Sequence, residues 1–237
     1  MSYDQESETK VIVALDYDNS DDAILMAKTL DPNLCKVKVG LELFLSCGPR
    51  IIDQLHELGY KIFLDLKFHD ISNTVEKSCI VASKLNVWML NLHSSGGTKM
   101  MSNAIKKFVK KKPLLIGVTI LTSLDQNEIS EIGYLREIDE QVLHMAELCY
   151  KSNLNGVVCS VSEVEAIKKR FSNNFICVCP GIRNYNDDQN DQKRIHTPAM
   201  AAKSGADYIV VGRPITKSNN PLESLKKVKI EFEKNIK

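Results

Sequence analysis

Apolar residues in this chain gather into eight short runs, and helical periodicity follows most of them. Residues 11–17 form the first run, before a helix from about Ser20 with Ala23, Ile24, Ala27 and Leu30 on its inner side. Residues 35–40 form the second. Its helix is expected to be capped at Ser46, to hold Pro49 in its first turn, to align Ile52, Leu55 and Leu58, and to stop at Gly59. Residues 62–68 form the third, with Ser72 or Asn73 as the cap of a helix through Val75, Cys79 and Ile80. Residues 87–93 are the fourth, before a helix through Met100, Ala104, Ile105 and Phe108. Residues 114–121 are the fifth, with their helix delayed to about 140–151. Residues 156–160, 175–179 and 208–211 complete the set. A helix through Val164, Ile167 and Phe171 follows the sixth, and a last helix sets Leu222, Leu225, Val228, Phe232 and Ile236 at helical spacing between lysines.

Eight Val/Ile-rich runs, each short enough for a strand buried on both faces, predict an α/β fold of the (β/α)8 TIM-barrel type. The barrel is expected to occupy residues 11–237 as a single domain, after a polar lead-in over residues 1–10. An open doubly wound sheet is the alternative. It loses support because no Gly-x-Gly-x-x-Gly or Walker A pattern follows any run. The connections 122–139 and 183–198 are long for a compact domain, which marks them as lid or binding loops.

Bulk composition narrows the function classes. The chain has 237 residues, is 43% hydrophobic and 26% charged, and carries a net charge of +1. That balance argues against broad binding to nucleic acid or an anionic membrane, but leaves room for a local anion site. The acidic, polar start is no signal peptide, and the longest apolar run is far too short to span a bilayer. Seven cysteines, odd in number and irregular in spacing, predict a reducing cytoplasm with no disulfide framework and no zinc site.

Charges interrupt the third run where apolar residues belong. Asp65 and Lys67 are two apart, so on a strand they share a face, and Asp70 follows near the strand's end. Burying a charge is costly unless it is paired. A structural ion pair would explain a lone Asp-x-Lys. The third charge and the strand-to-loop position favour chemistry instead. Carboxylates flanking a lysine favour its charged form, which suits proton donation and not Schiff-base formation. Other runs also end in chemical groups: Asp16, Lys38 before Gly40, His93, Thr122, Arg183, and Gly212 with Arg213. In a barrel all of these reach one rim, where Gly212 and Arg213 suit a phosphate.

Asp65-Leu-Lys67-Phe-His-Asp70-Ile-Ser-Asn-Thr74 resembles the signature of the orotidine 5′-phosphate decarboxylase family. The likeness extends over nearly the whole chain after residue 10. It includes Ala14-Leu-Asp16, Lys38-Val-Gly40, His93-Ser-Ser-Gly-Gly97, Leu121-Thr-Ser123, Pro180-Gly-Ile-Arg183, Asp191-Gln-Lys-Arg194 and Val211-Gly-Arg-Pro214, all in the family's order. It is similar to the compact bacterial-type, single-function form. Ser72, Ser94 and Cys179 depart from common choices, outside the charged set.

The resemblance implies conversion of orotidine 5′-monophosphate to uridine 5′-monophosphate and carbon dioxide, the last step of de novo pyrimidine synthesis, with no metal and no organic cofactor. It implies that Lys67 protonates C6 while Asp65 and Asp70 hold it. Asp16 and Lys38 would meet the ribose hydroxyls, and Thr122 the pyrimidine. Arg183, Gln192, Gly212 and Arg213 would serve the phosphate, with Gln192 on a closing loop. Asp70 and Thr74 would reach into a neighbouring subunit's site, which implies a homodimer. Metal-dependent sugar-phosphate lyases of the same superfamily are the nearest rivals, but they carry a Glu where this chain has Lys38, which repels a cation. A silent barrel is disfavoured because Asp16, Lys38, Asp65, Lys67 and Asp70 are all present.

Overall fold

A computed structural model describes residues 9–106, 113–183 and 196–236. Strand and helix alternate from the start: β1 (Val11–Leu15), α1 (Ser20–Thr29), β2 (Lys36–Gly40), α2 (Leu41–Cys47) and α3 (Arg50–Glu57). Next come β3 (Ile62–Phe68), α4 (Ser72–Ser83), β4 (Met89–His93), a 3-10 turn at Ser94–Gly96 and α5 (Gly97–Lys106). The order continues with β5 (Leu114–Val118), α6 (Gln126–Glu131), α7 (Ile138–Lys151), β6 (Gly156–Val158) and α8 (Val161–Arg170). It ends with β7 (Ile176–Cys179), α9 (Pro198–Ser204), β8 (Tyr208–Val211), α10 (Arg213–Thr216) and α11 (Pro221–Glu233). The eight strands pair in parallel in sequence order, and β8 returns to β1, closing the expected (β/α)8 barrel.

Alternation along each strand divides the core in two. Outward residues such as Val13, Leu64, Leu90, Val157 and Ile209 pack beneath helix residues such as Ile51, Val75, Met101, Val142 and Phe232. Inward residues Ile12, Ala14, Phe63, Met89, Ile116, Val178 and Val210 fill the barrel. Each fully buried aliphatic or aromatic side chain contributes roughly 1.5–3 kcal/mol, so both layers are needed. Gly117 lets α7 lie close on β5, since a Cβ there would stand 2.2 Å from Cys149 Sγ. At the N-terminal end of the barrel, buried Lys36 sets Nζ 4.6 Å from the Trp88 ring centre and 5.0 Å from that of Tyr208, and donates to the Thr9 carbonyl.

Several local expectations are corrected. The second βα unit holds two helices. Ser46 lies inside α2, and Gly48, at φ 63°, turns the chain before Pro49 at the N-cap of α3. Neither Ser72 nor Asn73 caps α4, because Ile71 is its N-cap. The Ser72 hydroxyl instead donates to Lys99 O (3.4 Å) and accepts from Asn103 Nδ2 (2.9 Å), joining α4 to α5. Strands β1 and β5 stop at Leu15 and Val118, short of the expected 17 and 121, as the strand tops splay into loops. The 122–139 connection contains α6, opened by a capping box of Asp125 and Glu128. Ile236 lies beyond α11 and is exposed. Residues 1–8 of the expected lead-in, and Phe108, lie outside the described residues. All seven cysteines are free thiols.

Candidate active site

The site begins with an irregularity in β3. Leu64 is opposite Leu90 on β4, but the next matched pair is Phe68 with Leu92. Strand β3 therefore advances four residues while β4 advances two. The surplus is even, so Asp65 and Lys67 keep the inward face that plain alternation assigns them. Lys67 absorbs the bend with a left-handed backbone, φ 49°, a conformation that costs a residue other than glycine roughly 1–2 kcal/mol. Such strain persists where neighbouring contacts fix it. Here the Lys67 N–H donates to Asn91 Oδ1 at 2.8 Å.

Three charged side chains alternate in sign around this bend. Lys67 Nζ donates to Asp65 Oδ1 at 2.7 Å, and Lys38 Nζ lies 3.5 Å from Asp65 Oδ2. Lys38 also donates to Asp16 Oδ1 at 3.0 Å, just past the end of β1. Asn91 Nδ2 adds a 2.6 Å bond to Asp65 Oδ1. Burial acts to raise the Asp65 pKa, but Lys38 and Lys67, with the hydrogen bonds from Lys67 and Asn91, outweigh it and hold the carboxyl below its ordinary value. Burial likewise opposes the charge on Lys38, and Asp65 and Asp16 overcome it, raising that pKa. Beside them His93, whose ring centre is 5.5 Å from that of His69, has its pKa lowered by burial and by the nearby His69 and Lys67.

This array forms one wall of a cavity of about 760 Å³ at the C-terminal mouth of the barrel. Ala14, Phe63, Val118, Val158 and Val210 give it an apolar floor. Thr122 and Ser123 line it from the loop after β5, and Pro180 to Arg183 from the end of β7. Gly212, Arg213 and Lys217 close the side next to β8. The cavity thus offers an apolar floor, an alternating charge array, and a cationic side built from Arg183, Arg213 and Lys217. A planar, polar molecule carrying a phosphate matches those three features.

The structure brings Asp16, Lys38, Asp65, Lys67, Thr122, Arg183, Gly212 and Arg213 to this one cavity. It does not bring Asp70 or Thr74 there. Both are exposed, and Asp70 Oδ1 accepts from the Ile71 N–H at 2.6 Å. The expected convergence of Asp65, Lys67 and Asp70 within one chain is therefore corrected: β3 ends at Phe68, the chain turns outward, and Lys38 takes the third place beside Asp65. Gln192 lies outside the described residues. Asn91 and Lys217 were missed by the sequence reading. Asn91 had a signal, a lone amide in the run Met-Leu-Asn-Leu-His, whereas Lys217 had only its spacing four residues after Arg213. Among the described residues, no group of three or more His, Cys, Asp or Glu is placed to hold a metal ion, and no helix is long and apolar enough to cross a membrane.

Comparison with known proteins agrees with this geometry. The profile of the orotidine 5′-phosphate decarboxylase / HUMPS family matches residues 9–228. An orotidine 5′-phosphate decarboxylase of Marinomonas sp. (strain MWYL1) is 49% identical over 221 residues, covering 92% of this chain and 94% of the relative. One from Legionella pneumophila (strain Lens) is 48% identical over 217 residues, covering 90% and 95%. The crystal structure of orotidine 5′-phosphate decarboxylase from Lactobacillus acidophilus superposes with a TM-score of 0.85 at 37% identity, covering 94% of this chain and 99% of that one.

Proposed function

The chain belongs to the orotidine 5′-phosphate decarboxylase / HUMPS family and is a carboxy-lyase, and on that premise we propose that it converts orotidine 5′-monophosphate to uridine 5′-monophosphate and carbon dioxide without metal or organic cofactor. The observation that carries the proposal is the Lys38–Asp65–Lys67 array on the cavity wall. In this reading the bond from C6 to the carboxylate breaks, carbon dioxide leaves, and the electron pair stays on C6. Lys67 Nζ gives that carbon a proton. Asp65 holds Lys67, and Asp16 and Lys38 meet the ribose hydroxyls. Thr122 lies beside the pyrimidine, while Arg183, Gln192, Gly212 and Arg213 receive the phosphate.

The carbanion on C6 has no adjacent carbonyl to delocalise it, so a fixed positive charge must meet it. Two unit charges 4 Å apart interact by roughly 4 kcal/mol at an effective dielectric near 20. Enzymes typically remove ~8–23 kcal/mol from a barrier. Lys67 alone is therefore insufficient, and binding energy from the phosphate has to be used at the reacting carbon. Arg183, Arg213 and Lys217, lining the same cavity as the charge array, support that division of labour.

The proposal extends to a cytoplasmic homodimer in which Asp70 and Thr74 complete the partner's site. Their exposure, Asp70 on the turn after β3 and Thr74 in the first turn of α4, supports this, because it leaves both side chains accessible to a second copy.

The deciding experiment follows the ultraviolet loss of orotidine 5′-monophosphate with excess chelator present. Rapid loss with uridine 5′-monophosphate as product is expected. No loss from a folded sample, with activity towards sugar phosphates on adding magnesium, would overturn the proposal in favour of the metal-dependent lyases.

A further inference from the structure

Asn91 is buried at the centre of β4, and its side-chain amide has opposite roles on its two sides. Its oxygen accepts the Lys67 N–H at 2.8 Å, and its nitrogen donates to Asp65 Oδ1 at 2.6 Å. The same Asp65 oxygen accepts from Lys67 Nζ at 2.7 Å. Three hydrogen bonds thus form a closed circuit that leaves Lys67 by its main chain and returns to it by its side chain. The circuit spans the stretch where β3 and β4 are out of step, between Leu64 and Phe68. There the Lys67 N–H takes a side-chain oxygen of β4 instead of a ladder carbonyl, and the left-handed backbone of Lys67 is fixed at that point.

Resting on the decarboxylation reading above, we propose that Asn91 is a positioning residue for the proton transfer: its amide holds the β3 bulge in the form that sets the Lys67 ammonium against Asp65 at the cavity wall. Among side chains of this size, only asparagine supplies an acceptor to the main chain and a donor to the carboxylate without taking up a proton. Aspartate offers two acceptors, leucine offers neither group, and glutamine is one methylene longer. The requirement for both roles also fixes which way the amide faces. Reversing it would aim N–H at N–H and oxygen at a carboxylate.

Two variants and one measurement on the unaltered protein test this. Asn91→Ala removes both bonds. A displacement of the reacting group by about 1 Å costs on the order of a hundredfold in rate, so kcat should fall by about that factor. KM should stay close to wild type, because the amide bonds Lys67 and Asp65 and none of the residues assigned to the phosphate. Asn91→Asp keeps the acceptor for the Lys67 N–H but turns a second carboxylate towards Asp65. Two carboxylates so close cannot both ionise, and the pair takes up one proton as the pH falls. That shared proton then replaces the amide donor and restores the wild-type charge. The kcat of Asn91→Asp relative to wild type should therefore climb on acidification, while the ratio for Asn91→Ala stays flat. Hydrogen exchange at the Lys67 amide should be slow in wild type and in Asn91→Asp, and fast in Asn91→Ala.

A folded Asn91→Ala with wild-type kcat overturns the proposal. So does an Asn91→Asp ratio that ignores pH, or a wild-type Lys67 amide that exchanges as fast as an exposed loop. If Asn91→Ala does not fold, the other two measurements decide. Absence of decarboxylation by wild type itself would instead defeat the functional reading, and the exchange data would still report on the circuit.

Discussion

Lys38→Met tests whether electrostatic pairing outweighs desolvation at the heart of the site. Lys38 Nζ stands 3.5 Å from Asp65 Oδ2, with both side chains almost buried at 12% and 11% exposure. At an effective dielectric near 20 this pair is worth about 5 kcal/mol before any cost is subtracted. The Asp16 contact at 3.0 Å adds at most about 1 kcal/mol, because the Asp16 side chain is 63% exposed. Against these stands the desolvation of the ammonium, several kcal/mol in a buried setting, which methionine avoids. Asp65 also keeps Lys67 and Asn91. The net loss expected at pH 7 is about 1–3 kcal/mol, below the roughly 3–5 kcal/mol for leaving a buried partner uncompensated, because Asp65 stays paired.

The assay is urea unfolding with linear extrapolation at pH 7 and pH 4, at one protein concentration. Asp65 has its pKa held below the ordinary 3.8 in the folded wild type, so it contributes stability above that value that is lost as the pH falls through the folded pKa. Without Lys38, the strongest influence opposing burial is gone, and the Asp65 pKa moves upward. The variant then gains relative stability as its Asp65 protonates, and the gap between the two proteins narrows at pH 4. A variant as stable as wild type at pH 7, or a gap indifferent to pH, would refute the reasoning and show that desolvation dominates.

Lys67→Ala and Asp70→Ala should each lower kcat by about 10²–10⁴-fold while leaving thermal unfolding near wild type. If sites are shared between subunits, mixing the two inactive proteins restores one intact site per mixed dimer; a mixture that stays inactive rejects the sharing. Arg213→Ala removes a charge-assisted hydrogen bond worth about 1.5–3 kcal/mol, so KM for orotidine 5′-monophosphate should rise roughly ten- to a hundredfold by that arithmetic, and an unchanged affinity would reject a phosphate contact at this residue.

The barrel was legible because strands covered on both faces must be apolar throughout, and eight such runs stand out against the helical segments between them. The charged wall was legible for the same reason: Lys38, Asp65 and Lys67 occupy positions where burial without a partner would be prohibitive. The bulge in β3 left no trace, since an even surplus preserves the inward alternation of Phe63, Asp65 and Lys67. The place of Asp70 was misjudged because counting residues along a strand cannot show where the chain leaves the sheet. Asn91 carried a signal that went unused, and its importance depends on a cross-strand register that only the folded chain displays. The division at Gly48 shows a different limit, because a glycine between two helical patterns suits either a pause or a full turn.

Lys67 occupies a backbone conformation in which glycine or asparagine would rest more easily. Either would relieve roughly 1–2 kcal/mol of backbone strain, but either would also give up the 2.7 Å bond from Lys67 Nζ to buried Asp65. The two effects oppose each other, so the strain at residue 67 is offset by the ion pair that the same side chain makes. The bent backbone of residue 67 and the proposed proton donor thus depend on one contact, so a change that loosens the ion pair with Asp65 disturbs folding and turnover together.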